Sequence, residues 1–211
     1  MYFNNIEWIL SRIYPSITWS RKNTDKTIFL TFDDGPISDV TEYVLEQLDL
    51  FHAKATFFCV GDNIKKYPAV YQKILREGHR TGNHTYNHLN GWNTDDEKYY
   101  SNIQECQQIM DSHSTQHSAL RTLFRPPYGK IRKGQIAKLT PEYEIIMWGV
   151  LSGDYNQKLS AVKCLHKTIK YSRSGSIIVF HDSLKAEKNL KYVLPKYLEH
   201  FSALGYKFES L

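Results

Sequence analysis

Runs of apolar, β-branched residues alternate with amphipathic helical patterns along this 211-residue chain. The runs predict about seven strands, at residues 27–32, 55–60, 79–83, 123–125, 144–150, 176–181 and 206–209. The patterns between them predict helices at residues 40–50, 64–76, 95–110, 135–139, 161–171 and 192–204. Such alternation indicates an α/β fold in which helical crossovers join parallel strands. We therefore expect a barrel or partial barrel of about seven parallel strands with outer helices.

Polar residues collect at one end of these predicted strands. Each of six lies at, or soon after, the carboxyl end of a strand: Asp33, Asp34, His84, Arg125, Asp154 and His181. In α/β barrels the carboxyl rim carries the chemistry. Residues with purely structural roles would be scattered over both ends of the strands and over the helix surfaces.

Two adjacent carboxylates end the first predicted strand, in the segment TFDDGP at residues 31–36. Successive strand side chains point to opposite faces, so Asp33 and Asp34 have different tasks unless the following turn re-aims one of them. One carboxylate could bind a cation while the other handles protons. An isolated acidic turn is more often a helix cap, and it is the remaining segments that favour chemistry here.

Two histidines, His84 and His88, stand four residues apart after the third predicted strand. One helical turn would bring both imidazoles to the same side. With a carboxylate from Asp33 or Asp34 they form a His, His, Asp set that suits zinc, and cobalt or nickel would also fit. Three protein ligands leave a coordination position for water or a substrate carbonyl, which is typical of catalytic sites.

The chain contains its own controls for both patterns. His113 and His117 have the same spacing as His84 and His88 but stand among small and polar residues, which predicts a solvated loop. A second acidic pair, Asp95 and Asp96, follows a threonine and precedes a helical pattern. Acidic residues are favoured at a helix N-terminus, so we expect this pair to begin a helix and to have no chemical role.

Three further strand ends carry charged or titratable groups. Arg125 is followed by two prolines that stiffen the strand exit, and its guanidinium can hold a carboxylate bidentately and keep it ionised. Asp154 follows the segment WGVLSG, and His181 ends the apolar run IIVF. A histidine in that position serves a structural role about as often as a functional one.

Composition places the chain among ordinary globular proteins large enough for one substantial core. The net charge is +5, but basic residues are spread along the chain, so no nucleic-acid partner is predicted. Cys59, Cys106 and Cys164 are far apart and odd in number, which predicts buried free thiols. The many aromatic rings suit a sugar-binding groove, although core packing explains most of them.

Residues 1–26 are too polar for a signal peptide or a membrane span. By default this predicts a cytoplasmic location, with unconventional export or association with a membrane surface as alternatives. The segment is expected to pack its Trp8 and isoleucines on a single domain formed by residues 27–211. The oligomeric state is not encoded in any pattern.

The segments TFDDGP, HTYNH, RPPYG, the run ending in Asp154 and the run ending in His181 together resemble the NodB-type polysaccharide deacetylases, carbohydrate esterase family 4. The resemblance spans residues 31–181 and includes the segment KATFF at residues 54–58. It implies a distorted (β/α) barrel that removes N- or O-linked acetyl groups from glycans with a divalent metal, usually zinc.

The resemblance also implies a role for each matching residue. Asp33 would be the general base, Arg125 would orient it, and Asp34, His84 and His88 would bind the metal. Tyr128 would offer its backbone N–H to the oxyanion. His181 would be the general acid, paired with Asp154. Two positions depart from the family pattern: Tyr155 replaces a tryptophan and Val179 replaces a leucine. Both departures bear on substrate preference rather than on reaction type.

The expected substrate is an acetylated glycan, most simply a poly- or oligosaccharide of N-acetylglucosamine type. Two alternatives share the scaffold. A cyclic amide or formamide hydrolase would cleave a different bond with the same metal. A glycan-binding protein without catalysis would have no need for an Asp, Arg and His set around an open metal position.

Overall fold

The computed structural model describes residues 7–22, 25–113 and 121–211, with side chains from residue 10 onward. Its nine strands in this part of the chain are β1 (Ile17–Thr18), β2 (Thr27–Asp33), β3 (Thr56–Cys59), β4 (Arg80–Asn83), β5 (Thr122–Phe124), β6 (Tyr143–Ile146), β7 (Val150–Leu151), β8 (Ile177–His181) and β9 (Lys207–Glu209). Its helices are α1 (Glu7–Ile13), α2 (Val40–Leu50), α3 (Gly61–Lys66), α4 (Pro68–Arg76), α5 (Asp96–Ser112), α6 (Lys133–Leu139), α7 (Ala161–Tyr171) and α8 (Glu187–Ala203).

All the paired strands of the sheet run parallel, in the order β1-β6-β5-β4-β3-β2-β8-β7, with β9 added to the start of β2. The sheet curls into a partial barrel with helices outside, which confirms the predicted fold class. Parallel strands end at a common edge, and β2 pairs with β8 so that Asp33 lies beside His181. The carboxyl rim predicted to carry the chemistry is therefore formed around the central strand.

Strand β2 is buried on both faces, and its two faces have different roles. Ile28, Leu30 and Phe32 belong to the core under the helices, where the Phe32 ring stacks on Phe57 with centroids 5.1 Å apart. Thr31 and Asp33 alternate with them and point to the barrel interior, because side chains along a strand alternate. Burial of large apolar side chains on the helix side holds the polar interior in place.

Two predicted elements are interrupted. The helix expected over 64–76 is two helices, because Pro68 lacks the N–H that a helix interior needs and begins α4 instead. The strand expected over 144–150 breaks after Ile146 and resumes as β7, which pairs with β8 rather than β5. The sequence patterns did not predict β1 or α1, which are both short.

The structure also tests the predictions for the cysteines, for Asp95 and for the second histidine pair. All three cysteines are buried free thiols, as expected. Asp95 caps α5 and its side chain accepts hydrogen bonds from the Glu97 and Lys98 N–H groups, which confirms the predicted helix start. His113 is half-buried against Gln72 and Tyr71, so the prediction of a solvated loop was wrong for this residue, while His117 lies outside the described residues.

The N-terminal segment contributes β1 to the edge of the sheet, and Ile17 packs in the core. The packing predicted for Trp8 and Ile9 falls on side chains outside the described part of the chain, whereas Ile13 is exposed. A domain boundary at residue 26 and a cytoplasmic location stay predictions. Among the described residues, no helix is both long and apolar enough to span a bilayer.

Candidate active site and metal centre

The strand ends surround a cavity of about 460 Å³, a size usual for small-molecule sites. Six of the predicted site residues line it: Asp33, Asp34, His84, His88, Tyr128 and His181. The other two, Arg125 and Asp154, are fully buried directly behind them. All eight residues are therefore brought together at one rim.

The two adjacent aspartates point in different directions. Asp33 is the last residue of β2 and contacts Arg125, with Oδ1 2.6 Å from Nη1. Asp34 has φ of 82°, so the chain turns sharply there and directs its carboxylate to the histidines. Gly35 follows without a side chain, because a Cβ there would lie 1.9 Å from Oδ2 of Asp182. The Gly35 N–H instead donates to Oδ1 of Asp182, which anchors the turn.

Asp34, His84 and His88 form a possible metal site, with one ligand atom from each lying within 4.8 Å of the others. Oδ1 of Asp34 is 3.1 Å from Nε2 of His88 and 3.8 Å from Nε2 of His84. The Nδ1 atoms are held elsewhere: that of His84 by the Arg125 carbonyl and that of His88 by the Tyr128 hydroxyl. Both imidazoles therefore present Nε2 to the same point, as metal-binding histidines do.

The pKa shifts of His84 and Asp34 favour a bound cation. Burial lowers the pKa of His84 to about 4, which leaves a neutral imidazole able to coordinate. Burial would raise the pKa of Asp34, but the hydrogen bond with His88 and the nearby imidazoles lower it below its usual range. A carboxylate and neutral imidazoles are the ligand forms that divalent metals require.

The prediction that a helical turn aligns His84 and His88 was wrong. Both residues lie in a loop after β4, where Thr85 and His88 have positive φ values of 64° and 56°. Asn102 of α5 holds this loop: its Oδ1 accepts the N–H groups of Tyr86 and Asn87, each at 2.9 Å. Asn83 accepts the Thr85 N–H. Two buried asparagines thus replace helical hydrogen bonds in shaping the loop.

Arg125 is fully buried and contacts Asp33 through one nitrogen rather than bidentately. Its other nitrogens donate to the carbonyls of Ile146 and Met147, at the break between β6 and β7. The guanidinium also lies over the Phe58 ring, 4.1 Å from its centroid. Arg125 therefore joins the barrel wall to the Asp33 carboxylate.

His181 and Asp154 form a second acid and histidine pair on the other side of the cavity. Oδ1 of Asp154 lies 2.8 Å from Nδ1 of His181, and Oδ2 accepts the His181 N–H. Burial would lower the pKa of His181, but the Asp154 carboxylate outweighs burial and raises it to about 9. His181 is therefore protonated at neutral pH, with Nε2 as its ring nitrogen not engaged by Asp154.

Tyr128 follows the two prolines and has φ of 61°, which separates its backbone from a helical path. Among the described residues its N–H donates no backbone hydrogen bond, so the group is available to an oxygen in the cavity. Its ring is 60% exposed and packs edge-on against His88. The ring therefore forms one wall of the entrance.

Sequence reasoning missed several residues of this site. Trp148, Leu151 and Lys185 also line the cavity. Their sequence surroundings resemble ordinary strand and helix positions, so no pattern distinguished them. Asp182 was missed as a support of the Asp34 turn, although its position directly after His181 was a usable signal. Tyr155 and Val179, the two departures from the family pattern, both line the cavity, and the Tyr155 ring packs against His181.

Fold and site together define an α/β barrel with a possible metal centre at its carboxyl rim. The family model of polysaccharide deacetylases matches residues 20–141, more than half of the chain. The chain belongs to the polysaccharide deacetylase family and is a hydrolase of that type.

Two relatives and one solved structure match this chain over most of its length. A peptidoglycan-N-acetylglucosamine deacetylase of Bacillus cereus is 32% identical over 195 residues, 91% of this chain and 89% of its own. The peptidoglycan-N-acetylglucosamine deacetylase PgdA of Listeria monocytogenes is 31% identical over 191 residues, but the match spans only 39% of its length. The crystal structure of the Bc1960 peptidoglycan N-acetylglucosamine deacetylase superposes with a TM-score of 0.87 over 99% of this chain and 95% of that one, at 28% identity.

Proposed function

We propose that this protein hydrolyses the acetamido group of N-acetylglucosamine units in a poly- or oligosaccharide and releases acetate. The observation that carries the proposal is the arrangement of one cavity. An Asp33–Arg125 pair and a His181–Asp154 pair line it, together with the Asp34, His84 and His88 set. The names of the relatives, which act on N-acetylglucosamine of peptidoglycan, support this choice of substrate.

The ligand set fits a divalent metal, with zinc the first choice and cobalt or nickel as alternatives. Asp34, His84 and His88 would hold it, leaving at least one coordination position for substrate or water. When bound, such an ion polarises a carbonyl and makes water more acidic. The other residues of the cavity would transfer the protons and stabilise the oxyanion.

Asp33 is the proposed general base, because it is the carboxylate in the cavity that the histidines do not engage. It takes a proton from the attacking water while Arg125 fixes its position. The Tyr128 N–H donates to the oxyanion, and one such donor contributes about 3 kcal/mol to transition-state stabilisation. An amide nitrogen leaves poorly unless protonated, so His181, charged at neutral pH, donates a proton to it as the bond breaks.

The two alternative functions are less well supported. A cyclic amide or formamide hydrolase would share the metal and both acid–base groups, but the relatives described above are named for deacetylation of N-acetylglucosamine. A binding protein without catalysis would have no need for two acid–base pairs beside a set of candidate metal ligands. We therefore propose neither.

The test is acetate release from a panel of acetylated glycans, with protein stripped of metal and reloaded with zinc, cobalt or nickel. We expect release from N-acetylglucosamine oligomers only after reloading, and no formate release or ring opening with amide substrates. His84→Ala should lose metal retention, measured by elemental analysis after dialysis. His166→Ala, at an exposed position on α7, is the matched control and should retain the metal.

Absence of acetate under every metal, with glycan binding that survives a chelator, would instead identify a binding protein. Retention of metal by His84→Ala at the wild-type level would show that the ligand set is wrong.

A further inference from the structure

Basic residues are frequent in one stretch of the chain, which includes α7, β8 and the first part of α8. Residues 155–196 contain nine lysines and arginines and two acidic residues, a formal charge of +7 against +5 for the whole chain. One of the two acids, Asp182, is buried, and the other, Glu187, pairs with Lys191. This stretch therefore carries an excess of positive charge, although α8 also contains Glu199 beyond it.

A second cavity, of about 270 Å³, is lined by residues of this stretch. It adjoins the active-site cavity through Lys185, which lines both. Its other walls include Lys188, the Tyr192 ring and the polar side chains of Gln157 and Ser160. No carboxylate is among its described lining residues. The active site is thus continued by a basic pocket with an aromatic wall.

The two lysines of this pocket are not neutralised by the protein. Neither ammonium forms an ion pair with a carboxylate in the described residues, whereas Lys191 on the same helix lies 2.6 Å from Glu187. Lys185 lies in the turn that precedes α8 and Lys188 lies in its first turn, and both side chains line this pocket. Lys185 also lies 5.7 Å from the centroid of Tyr155, whose ring contacts His181.

We propose that this basic pocket binds a carboxylate carried by the sugar next to the one that is deacetylated. The inference rests on the proposed function and narrows its substrate to an acidic glycan, in which acetylated sugars alternate with sugars bearing a carboxyl group. Lys185 and Lys188 supply charge-assisted hydrogen bonds to that carboxylate. The Tyr192 ring offers the apolar surface on which a sugar face can stack. A neutral polymer such as a chitin oligomer would use only the active-site cavity.

The test uses three substrates of equal length: an N-acetylglucosamine oligomer, an oligomer alternating N-acetylglucosamine with N-acetylmuramic acid, and the latter with its carboxyl groups amidated. The metal-loaded enzyme is assayed for acetate release at low and at high salt. We expect kcat/KM to be about threefold to fivefold higher for the carboxylate than for the amide at low salt, since partly exposed ion pairs are of that strength. Salt should reduce this ratio.

Variants identify the residues that bind the carboxylate. For each variant the ratio of kcat/KM for the carboxylate substrate to kcat/KM for the amidated substrate is measured. Lys188→Gln should lower the ratio toward one, with Lys185 accounting for the preference that remains, and Lys188→Arg should restore most of the wild-type ratio. Lys191→Gln removes the same charge from the same helix outside both cavities and should leave the wild-type ratio. Melting temperatures verify that each variant is folded.

A wild-type ratio of one would contradict carboxylate binding by the pocket. An equal fall of the ratio in Lys191→Gln would show that the overall positive charge of this stretch, and not the pocket, causes the preference. Both results differ from failure of the proposed function, in which none of the three substrates releases acetate.

Discussion

Asp33 and Asp34 are adjacent but have different surroundings, and those surroundings support the different tasks proposed for them. Asp33 is held in the barrel wall by the guanidinium of Arg125, while the left-handed backbone of Asp34 directs the next carboxylate to two imidazoles. A carboxylate that already serves a cation is a poor proton acceptor, so the division of labour follows from a change of direction within one residue.

Asp33→Asn should separate these tasks. The amide keeps the size of the side chain and can still contact Arg125, but it cannot accept a proton from water. We expect kcat to fall by about a thousandfold, as for loss of a general base, with metal content unchanged. Acetate release and elemental analysis on the same preparation measure both quantities.

The matched control for that variant is Asp62→Asn, which removes an exposed carboxylate that pairs with Lys66 on α3. It should behave as wild type. Turnover of Asp33→Asn near the wild-type rate would rule out Asp33 as the base.

Asp154→Asn tests the second pair through pH. The Asp154 carboxylate raises the pKa of His181 to about 9, so the histidine stays protonated over the neutral range. Removal of that negative charge leaves burial, which lowers the pKa, opposed only by the smaller effects of Asp34 and Asp33. The alkaline limb of the kcat/KM profile should move to lower pH by one unit or more. An unchanged limb would mean that another group sets it.

At the scale of elements, the break between β6 and β7 shapes the site. The interruption leaves the carbonyls of Ile146 and Met147 without strand partners on one side, and Arg125 donates to both. The same guanidinium also contacts Asp33. The break between β6 and β7 therefore fixes a positive charge behind the proposed base. Stability of the barrel and position of the carboxylate thus depend on one side chain.

Arg125→Met should therefore lower stability as well as activity. The substitution leaves a buried carboxylate without its charge partner, which costs about 3 to 5 kcal/mol of unfolding free energy. Urea denaturation monitored by tryptophan fluorescence measures this. Lys191→Met, which breaks an exposed pair with Glu187, should change the free energy by less than about 1 kcal/mol. Equal losses in the two variants would contradict a structural role for Arg125.

Elements were predictable where local patterns coincide with the fold. Strands β2, β3 and β8 are long apolar runs between turn signals, and their ends located the rim. The break after Ile146 was not predictable, because the run 144–150 is continuous and only its pairing with different neighbours divides it. The loop of His84 and His88 was misread as helical, since spacing alone does not show that Asn102, distant in sequence, provides the hydrogen bonds.

At the scale of the whole molecule, buried histidines link stability to pH. His79 is 7% exposed, and burial lowers its pKa to about 4, while its Nδ1 accepts the Ala55 N–H. The unfolded chain binds a proton near pH 6.5, so between 6.5 and 4 it holds more protons than the folded chain. The free energy of unfolding should therefore fall as pH is lowered through that range. His181, with a raised pKa, contributes stability below pH 6.5 that is lost as pH rises through about 9.

His79→Phe should flatten the acid side of that curve. A phenyl ring has no proton to gain, although it also loses the Ala55 hydrogen bond and so lowers stability at every pH. Urea denaturation at several pH values between 7 and 4.5, with chelator present to remove any contribution from metal release, gives the slope. His166→Phe, at an exposed position, should keep the wild-type slope. An unchanged slope in His79→Phe would contradict the assignment.

The whole fold was predictable as a class because strand and helix alternate in the sequence. Six of the eight candidate site residues were predictable because they fall at strand ends, whereas His88 followed from its spacing to His84 and Tyr128 from the family resemblance. The pocket lysines Lys185 and Lys188 were not predictable, since a lysine in a turn or on a helix surface has no distinguishing pattern. Which basic side chains face the same pocket is decided by the packing of α8 next to β8, and no local signal encodes that arrangement.

Asn102 makes the candidate metal site depend on α5, a helix that contributes none of the candidate ligands. The Asn102 side chain accepts hydrogen bonds from the loop between β4 and α5. Transfer of the histidine motif into an unrelated barrel would therefore carry over the candidate ligands but not the hydrogen bonds that orient them. Transfer of this candidate metal site to another scaffold should therefore include Asn102. Screens for variants with reduced activity should also identify Asn102, although it lies outside the active-site cavity.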